Sequence, residues 1–369
     1  MNQLFRWDQM GLFLLALAAG ILPFAVPEVC AAALREGLTL CSGPLLLSLF
    51  PFLVVSRLLI QCPESDLLAL PFRLAAWGIG IRTPCAARVL CIGFLGGFAP
   101  AASAAAQAVR TGQLTAEEAD ALLPACICSG PSFVVLTVGQ SLLGSAELGV
   151  LLFASQITAN YLTAALLNRF AGVHSVKPGS AAPAFPAPPR LDEILADAAI
   201  TYCKLCGFIL FFRMLAAGAG ALLPAGAGTL CAVLLEVCSG CDLASRTGRW
   251  GSLLCCAALS VQGLSVLLQV RTICPPEMTL RPLYRARMLH LPLSLALFYL
   301  LLPSGEVDVF STLPARVLLM RRVPPDCALL VFAVCCMAAC TLRSGIRQVE
   351  QKQMARNAGG CCINSKTLL

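Results

Sequence analysis

The chain has 369 residues, of which 58% are hydrophobic and only 12% are charged, and its mean hydropathy is +0.83. Soluble globular proteins carry about 25% charged residues, so this composition excludes an ordinary soluble domain and fits a chain whose solvent is mostly lipid. We do not take the formal net charge of +7 as a sign of a nucleic-acid partner, because the positions of the basic residues are more informative than their sum.

Long apolar runs follow one another along the whole chain. A membrane-spanning helix needs about 20 consecutive apolar residues, and in hydrocarbon only helices and closed barrels satisfy every backbone hydrogen bond. Barrel strands alternate in polarity over about 10 residues, whereas these runs are long and rich in leucine and alanine. We therefore predict an all-α polytopic membrane protein with about eight to ten spans. The runs are 11–26, 43–60, 89–109, 121–168, 214–235, 251–270, 289–302 and 325–342.

The N-terminal run has two interpretations, a secretory signal peptide or a first membrane helix. Its basic region is thin, because Asp8 offsets Arg6, and many further spans follow it. Both features favour a membrane helix.

The 21 cysteines also have two interpretations. Many lie inside apolar runs, where cysteine acts as a small apolar residue at helix contacts. The two CxxC pairs, Cys203/Cys206 and Cys238/Cys241, leave open a metal or redox site. Because only two histidines occur and no acidic ligand lies close to the first pair, we expect no metal and no cofactor.

Basic residues are concentrated in two segments, 271–287 and the C-terminal part from 343 onward. Two predicted spans separate these segments, so both lie on the same side of the membrane. The loop 303–324 between those spans has fewer basic residues. The positive-inside rule therefore places both segments in the cytoplasm of a multi-pass protein of the cell membrane.

A segment rich in proline and alanine, 171–190, divides the chain. Its composition predicts an extended linker. We therefore predict a first transmembrane half at 1–170, a second at 191–345, and a basic cytoplasmic tail at 346–369. Each half has a phenylalanine-rich apolar helix followed by two interrupted segments, which suggests duplicated halves with re-entrant helices, as in many transporters.

Glycine, proline and polar residues interrupt four apolar segments. A helix that stops at membrane depth is tolerated only where protein or a water-filled cavity receives its free backbone groups, and matched interruptions are the best sequence indication of a transport site. The alternative is that glycine merely permits close helix packing. The interruptions contain the candidate residues Gly97, Phe98, Pro100, Ser129, Gly130, Pro131, Ser239, Gly240, Gln262 and Gly263.

Glu236 is the sharpest single candidate, because an ionisable group at membrane depth is costly and usually faces a cavity or a partner. It could bind a solute, a cation or a proton, or it could be a buried partner of Arg213. Gln262, Ser265 and Gln269 have the spacing i, i+3, i+7, which places them on one helix face. That face could line a polar path or hydrogen-bond to another helix.

The segment 111–123 is the one clearly polar helix. Thr115 followed by Glu118 fits a capping box, and we predict an exposed connector without chemistry of its own. No GxxxxGK[ST] motif, HExxH motif or Ser/His/Asp constellation occurs. We therefore predict that the chain is not an enzyme and does not couple ATP directly.

The interrupted segments resemble the YlbJ-type sporulation integral membrane proteins of the nucleoside-recognition, or gate, group. In the first half, the segments 96–98 and 126–131 are similar to the family's turn and to its Asn-Asn-Ser-Gly-Pro element. In the second half, Glu236 with 239–240, and 263–270, are similar to its Glu-x-x-x-Gly and Gly-Leu-Ser-Val-x-x-Gln-Val elements. The run Tyr284, Arg287, His290 follows, so the resemblance covers roughly 20–345.

The chain also departs from that family. Ile127 and Cys128 stand where it has paired asparagines, Pro100 is one place late, and Gln262 and Leu267 replace a glycine and a histidine. The first-half polar site is therefore reduced, and the second half is better kept.

The resemblance implies a role in spore formation, with dipicolinic acid as the solute moved across the outer forespore membrane, and a fold like that of the concentrative nucleoside transporters. The expected partners are the lipid bilayer and a small anionic solute, and no nucleic acid; a homo-oligomer or other sporulation membrane proteins remain open. The alternative is a non-transporting membrane assembly factor for spore maturation, and an enzyme that uses the cysteines is least favoured.

Overall fold

The computed structural model describes residues 2–62, 65–171 and 191–302. Every regular element in this part is a helix. Most of the predicted linker, the predicted span 325–342 and the basic tail lie outside the described residues. The α-helices are α1 (Asn2–Ala25), α2 (Pro27–Ser42), α3 (Pro44–Gln61), α4 (Ser65–Leu68), α5 (Leu70–Gly78), α6 (Pro84–Gly96), α7 (Phe98–Arg110), α8 (Ala116–Cys126), α9 (Ala146–Ala171), α10 (Leu191–Leu222), α11 (Ala225–Leu235), α12 (Val237–Ser245), α13 (Gly251–Val261), α14 (Gly263–Ile273) and α15 (Arg281–Leu301).

Four helical stretches in the described part are long and apolar enough to cross a membrane. Large apolar side chains are exposed on the outer surface, among them Phe170 and Leu300, as a lipid solvent requires. These features fit an all-α membrane protein, whereas the total number of spans stays a prediction. The four stretches are Pro27–Leu47, Ala146–Ala171, Leu191–Leu222 and Gly248–Ile273.

The first interrupted segment is a hairpin of two short helices, α6 and α7. The chain reverses at Gly97, whose φ of +81° lies in the left-handed region. The two arms approach closely, since a Cβ on Gly93 would lie 3.2 Å from the Cβ of Ala101. Small residues permit this approach, and every alanine of α7 is buried.

Helix α8 starts with the predicted capping box, in which Thr115 and Glu118 bond reciprocally. The prediction of an exposed connector was wrong, because Glu118, Asp120 and their apolar neighbours are buried. Their charges find partners inside the protein. The hydroxyl of Thr83 donates to Glu118 at 2.6 Å, and the backbone and hydroxyl of Thr279 donate to Asp120 at 2.8 and 2.7 Å.

Helix α8 and the following π-helix, Ser132–Leu142, form one broken rod. Helix α9 runs antiparallel to both parts. The Asn168 amide donates to the Ala121 carbonyl at 3.1 Å, and a Cβ on Gly139 would lie 2.5 Å from the Cα of Gly149. The break at 127–131 therefore lies near the middle of the long helix α9.

The second half begins with the 32-residue helix α10. The apolar run 214–235 was predicted as one stretch, but α10 ends at Leu222 and Pro224 caps a separate helix, α11. Helices α11 and α12 form a hairpin, in which a Cβ on Gly240 would lie 2.8 Å from the Cα of Val233. Its tip is Glu236, three residues before the predicted interruption at Ser239–Gly240.

Helices α13 and α14 are separated at Gln262, which has a left-handed φ of 62°. The two hairpins approach from opposite ends of the bundle. Arg110, at the end of the first hairpin, donates to the carbonyl of Ile273 at the end of α14. The second hairpin instead leads through the short turn Gly248–Trp250 into the start of α13. Duplication of the halves stays a prediction.

Candidate functional site

In each half, the tip of the hairpin lies directly on the break of the helix that follows it. A Cβ on Gly97 would lie 2.7 Å from the nitrogen of Gly130, and a Cβ on Gly263 would lie 2.9 Å from the nitrogen of Glu236. Both glycines also have left-handed φ values. Only glycine combines this backbone conformation with such close approach, so these two contacts join four broken segments into two pairs.

Glu236 caps the N-terminus of helix α12. Its carboxylate accepts hydrogen bonds from the amides of Cys238 and Ser239 at 2.8 and 2.7 Å and from the Ser239 hydroxyl at 2.9 Å. A carboxylate is stabilised there by the free amides and the helix dipole. Arg213 pairs instead with Glu36 at 2.8 Å. The interpretation of Glu236 as a direct ion-pair partner of Arg213 is therefore wrong.

The two pairs of breaks face a common cleft. The first half contributes Phe98, Ser129 and Gly130, and the second half contributes Glu236 and Gln269. The space inside is about 50 Å³, whereas sites for small molecules measure about 300–1,000 Å³. The cleft is therefore smaller than the usual site for a small molecule.

The break at Gln262 separates the first residue of the predicted polar face from Ser265 and Gln269, which lie in α14. Within α14, the Gln269 amide donates to the Ser265 hydroxyl at 3.0 Å. Gln262, at the break itself, donates across to the carbonyl of Ile127 at 3.3 Å. The side-chain oxygens of both glutamines are buried and lack a hydrogen-bond partner among the described residues. Each oxygen can accept a hydrogen bond from a bound molecule or from water.

Arg287 is the strongest feature that sequence reasoning missed. It was counted among the charges of a cytoplasmic loop, but it lies in α15 and is only 7% exposed. Its guanidinium donates to the carbonyl of Ile127 at 2.9 Å and to the carbonyl of Ser260 at 3.3 Å. These carbonyls stand at the C-terminal ends of α8 and α13, where the helix dipole favours a cation. Its position in the run Tyr284, Arg287, His290 was the available signal.

A layer of buried polar side chains continues from Arg287 across α9, α13 and α15. Gln156 donates to the Ser260 hydroxyl at 3.0 Å, Ser260 and Ser294 lie 2.5 Å apart, and His290 lies 3.2 Å from the Gln156 carbonyl. The Asn160 amide donates to the Ile127 carbonyl at 3.2 Å. Gln156 and Asn160 thus hydrogen-bond α9 to α13 and to the C-terminal end of α8.

The remaining candidate residues frame the cleft rather than line it. Pro131 caps the π-helix, Pro100 packs on Gly96, Ser239 binds Glu236, and Gly240 lies against α11. In the described ranges, no group of three or more histidine, cysteine, aspartate or glutamate side chains could hold a metal ion.

Comparison with known proteins adds no relative. No protein-family model matches the chain, and neither the curated proteins nor the solved structures contain a match. The sporulation family therefore stays a prediction carried by the motifs quoted above, and function is argued below from the geometry of the cleft.

Proposed function

We propose that the chain is a membrane transporter or facilitator of a small anionic solute. The observation that carries this proposal is the cleft in which Ser129 and Gly130 of one half face Glu236 and Gln269 of the other. Broken helices at membrane depth are tolerated only where protein or a water-filled cavity receives their backbone groups, and transporters place their sites where such helices meet. Separation of the two tips from the breaks would open the cleft.

Two features near the cleft favour an anion, although Glu236 itself carries a negative charge in its lining. The N-terminus of the π-helix at Ser132 has free amides and a positive dipole end, and no side chain caps it. The N-terminus of α12, which also lies at the cleft, is already satisfied by Glu236. Arg287 adds a buried positive charge near Ile127, and no carboxylate pairs with it among the described residues.

The resemblance to the sporulation family suggests dipicolinic acid as the solute and the outer forespore membrane as the location. Dipicolinate is a small planar dianion, so it suits a site with an open helix N-terminus. In this proposal the protein is a multi-pass protein with two inverted halves, since the hairpins of the halves approach from opposite ends of the bundle.

Flux into vesicles tests the proposal directly. Purified protein is reconstituted into liposomes that contain terbium ions, whose luminescence rises when dipicolinate enters. We expect uptake above that of empty liposomes, and Gln269→Ala should reduce the rate about tenfold or more, as loss of about 1.4 kcal/mol of solute binding would. Gln107→Ala, on the half-buried surface of α7 away from the cleft, is the matched control. Folded protein that gives no flux under an imposed anion gradient would sink the proposal.

A second candidate is a non-transporting membrane assembly factor. The observation that favours it is the small volume of the cleft, in which the Glu236 carboxylate already accepts three hydrogen bonds. Glu236→Gln and Gln269→Ala separate the two candidates in a cell that forms spores. An assembly factor should tolerate both substitutions, whereas a carrier should lose function with protein of normal abundance.

A further inference from the structure

A second cavity, which is polar, lies between the ends of α3, α7, α10 and α14. Its volume of about 170 Å³ is larger than that of the cleft but also below the usual range for small-molecule sites, so only a small solute would fit. Its wall carries three basic side chains, Arg57, Arg110 and Lys204, and one acidic side chain, Asp197. The wall of the cavity therefore has a net positive charge, which attracts anions. None of these residues belongs to the sites described above.

The three cations are held differently. Arg57 is largely buried and pairs with Asp197 at 2.5 Å, and Arg110 donates to the Ile273 carbonyl at 3.3 Å. Lys204 is exposed and makes no hydrogen bond or ion pair within the described part of the chain. One cation is therefore free and two are fixed, so an anion that enters meets a partly built site in which Asp197 is its competitor.

The cavity and the cleft are successive spaces along the same four helices. On α14, the cleft residue Gln269 precedes the cavity residues Thr272 and Ile273 by about one helical turn, or 5.4 Å. On α7, Phe98 of the cleft precedes Ser103 of the cavity. The cavity thus lies on the side predicted to be cytoplasmic, one turn from the candidate transport site.

One apolar cluster separates the two spaces. Leu53, Ala99 and Leu205 are buried in it, and Phe98 of the cleft and Ile273 of the cavity pack against it. These side chains pack closely against one another, and Leu53 is 0% exposed. We call this cluster the apolar seal.

We propose that the cavity is an anion-binding vestibule that delivers a small organic dicarboxylate to the cleft when the apolar seal opens. This inference rests on the proposed function for the delivery step, but the binding step stands on the cavity alone. The vestibule captures the anion with Lys204 and Arg110, and Arg57 exchanges its bond from Asp197 to the solute.

Titration calorimetry of the purified full chain with dipicolinate tests the binding step, with the neutral dicarboxamide of the same ring as the uncharged probe. We expect binding that weakens with added salt and no binding of the diamide. Lys204→Gln and Arg110→Gln should each weaken binding about three- to tenfold, the range expected when one partly exposed charge contact is lost. Arg285→Gln, which removes an exposed charge on α15 outside the cavity, should not.

Asp197→Asn gives the sharpest test, because its expected effect has the opposite sign. Removal of the competing carboxylate should tighten dipicolinate binding about threefold or more, whereas damage to the fold could only weaken it. Equal affinity in Lys204→Gln, Asp197→Asn and the unaltered protein would overturn the inference. Binding that depends on Lys204 in a protein without flux would keep the anion site and overturn transport. If flux occurs and its half-saturating concentration is unchanged by substitution of Arg57, Arg110 or Lys204, transport stands and the vestibule is overturned.

Discussion

Glu236 lies at a point in the chain where two helices end within the bundle, and it is only 2% exposed. Its carboxylate supplies the acceptors that the first amides of α12 would otherwise seek from water. The carboxylate of Glu236 therefore satisfies the first amides of α12 without water or a ligand. The N-terminus of the π-helix has no such side-chain cap.

Glu236→Gln is expected to destabilise the protein by about 1–2 kcal/mol, because a neutral amide accepts fewer and weaker bonds from the N-terminus of α12. Thermal unfolding of the detergent-solubilised protein measures the effect. Asp242→Asn is the control on the same helix, since Asp242 pairs with the exposed Arg246, and surface pairs contribute about 0–1 kcal/mol. Equal shifts in the two variants would show that the cap has no special role.

Gly97 and Gly112 form a natural matched pair, because both have left-handed φ values, +81° and +69°. A Cβ on Gly112 would meet open space, whereas a Cβ on Gly97 would meet the Gly130 backbone. Alanine should cost about 1–2 kcal/mol at either position for the backbone conformation, and overlap should add about 1–3 kcal/mol at Gly97. Unfolding midpoints of the two alanine variants compare these costs, and a Gly112→Ala variant as unstable as Gly97→Ala would contradict the tip contact.

At the level of elements, Arg287 joins the broken ends of α8 and α13 to α15. The Ile127 carbonyl that it binds also accepts from Asn160 and Gln262, so four helices meet at one backbone oxygen. A helix end without its next turn requires such partners inside a membrane. This junction fixes the relative positions of the halves.

Arg287→Met should destabilise the protein by about 1–3 kcal/mol, because the Ser260 carbonyl loses a donor and the C-terminal dipole of α13 loses a cation. Arg285→Met, two residues away and exposed on α15, should change stability by about 0.5 kcal/mol or less. Denaturant or thermal unfolding of both variants in one detergent decides the matter. An unchanged stability of Arg287→Met would mean that the other polar side chains satisfy the ends of α8 and α13 without Arg287.

The sequence predicted elements well where glycine, proline or a capping pair marks a boundary, as at Gly97, Gln262 and Thr115. It failed where the deciding contact joins distant residues. Segment 111–123 was predicted to be exposed because it is polar, yet Asp120 is buried through bonds to Thr279, which is far away in the chain. The run 214–235 was predicted as one stretch because it is uncharged throughout, although Pro224 within it marks the boundary between α10 and α11.

On the scale of the whole molecule, two hairpins approach from opposite ends and meet broken helices near the middle. The ends of α3, α7 and α14 and the start of α10 share one side, where Arg57, Arg110 and Lys204 also lie. Because 271–287 follows α14, the positive-inside rule predicts that this side is cytoplasmic. The turn Gly248–Trp250 then lies on the opposite side.

Labelling with a membrane-impermeant maleimide tests this arrangement. Cys62, exposed at the end of α3, should react in inside-out vesicles, and a Thr247→Cys variant in the exposed turn before α13 should react in right-side-out vesicles. Peptide mass spectrometry identifies the modified cysteine despite the others, and the unaltered protein is the control for Thr247→Cys. Reaction of both positions from one side would contradict hairpins that approach from opposite ends.

The small cleft also determines how a solute of the proposed transporter can be found. If the open form is a minor population, the apparent dissociation constant equals the intrinsic one divided by that population, so weak millimolar affinity is expected even for the correct compound. A compound that binds only the folded protein still raises its stability, by about 2.7 kcal/mol at a hundredfold excess over the dissociation constant. A melting-temperature screen of small carboxylates and phosphates at high concentration is therefore better suited to this protein than a search for tight binders.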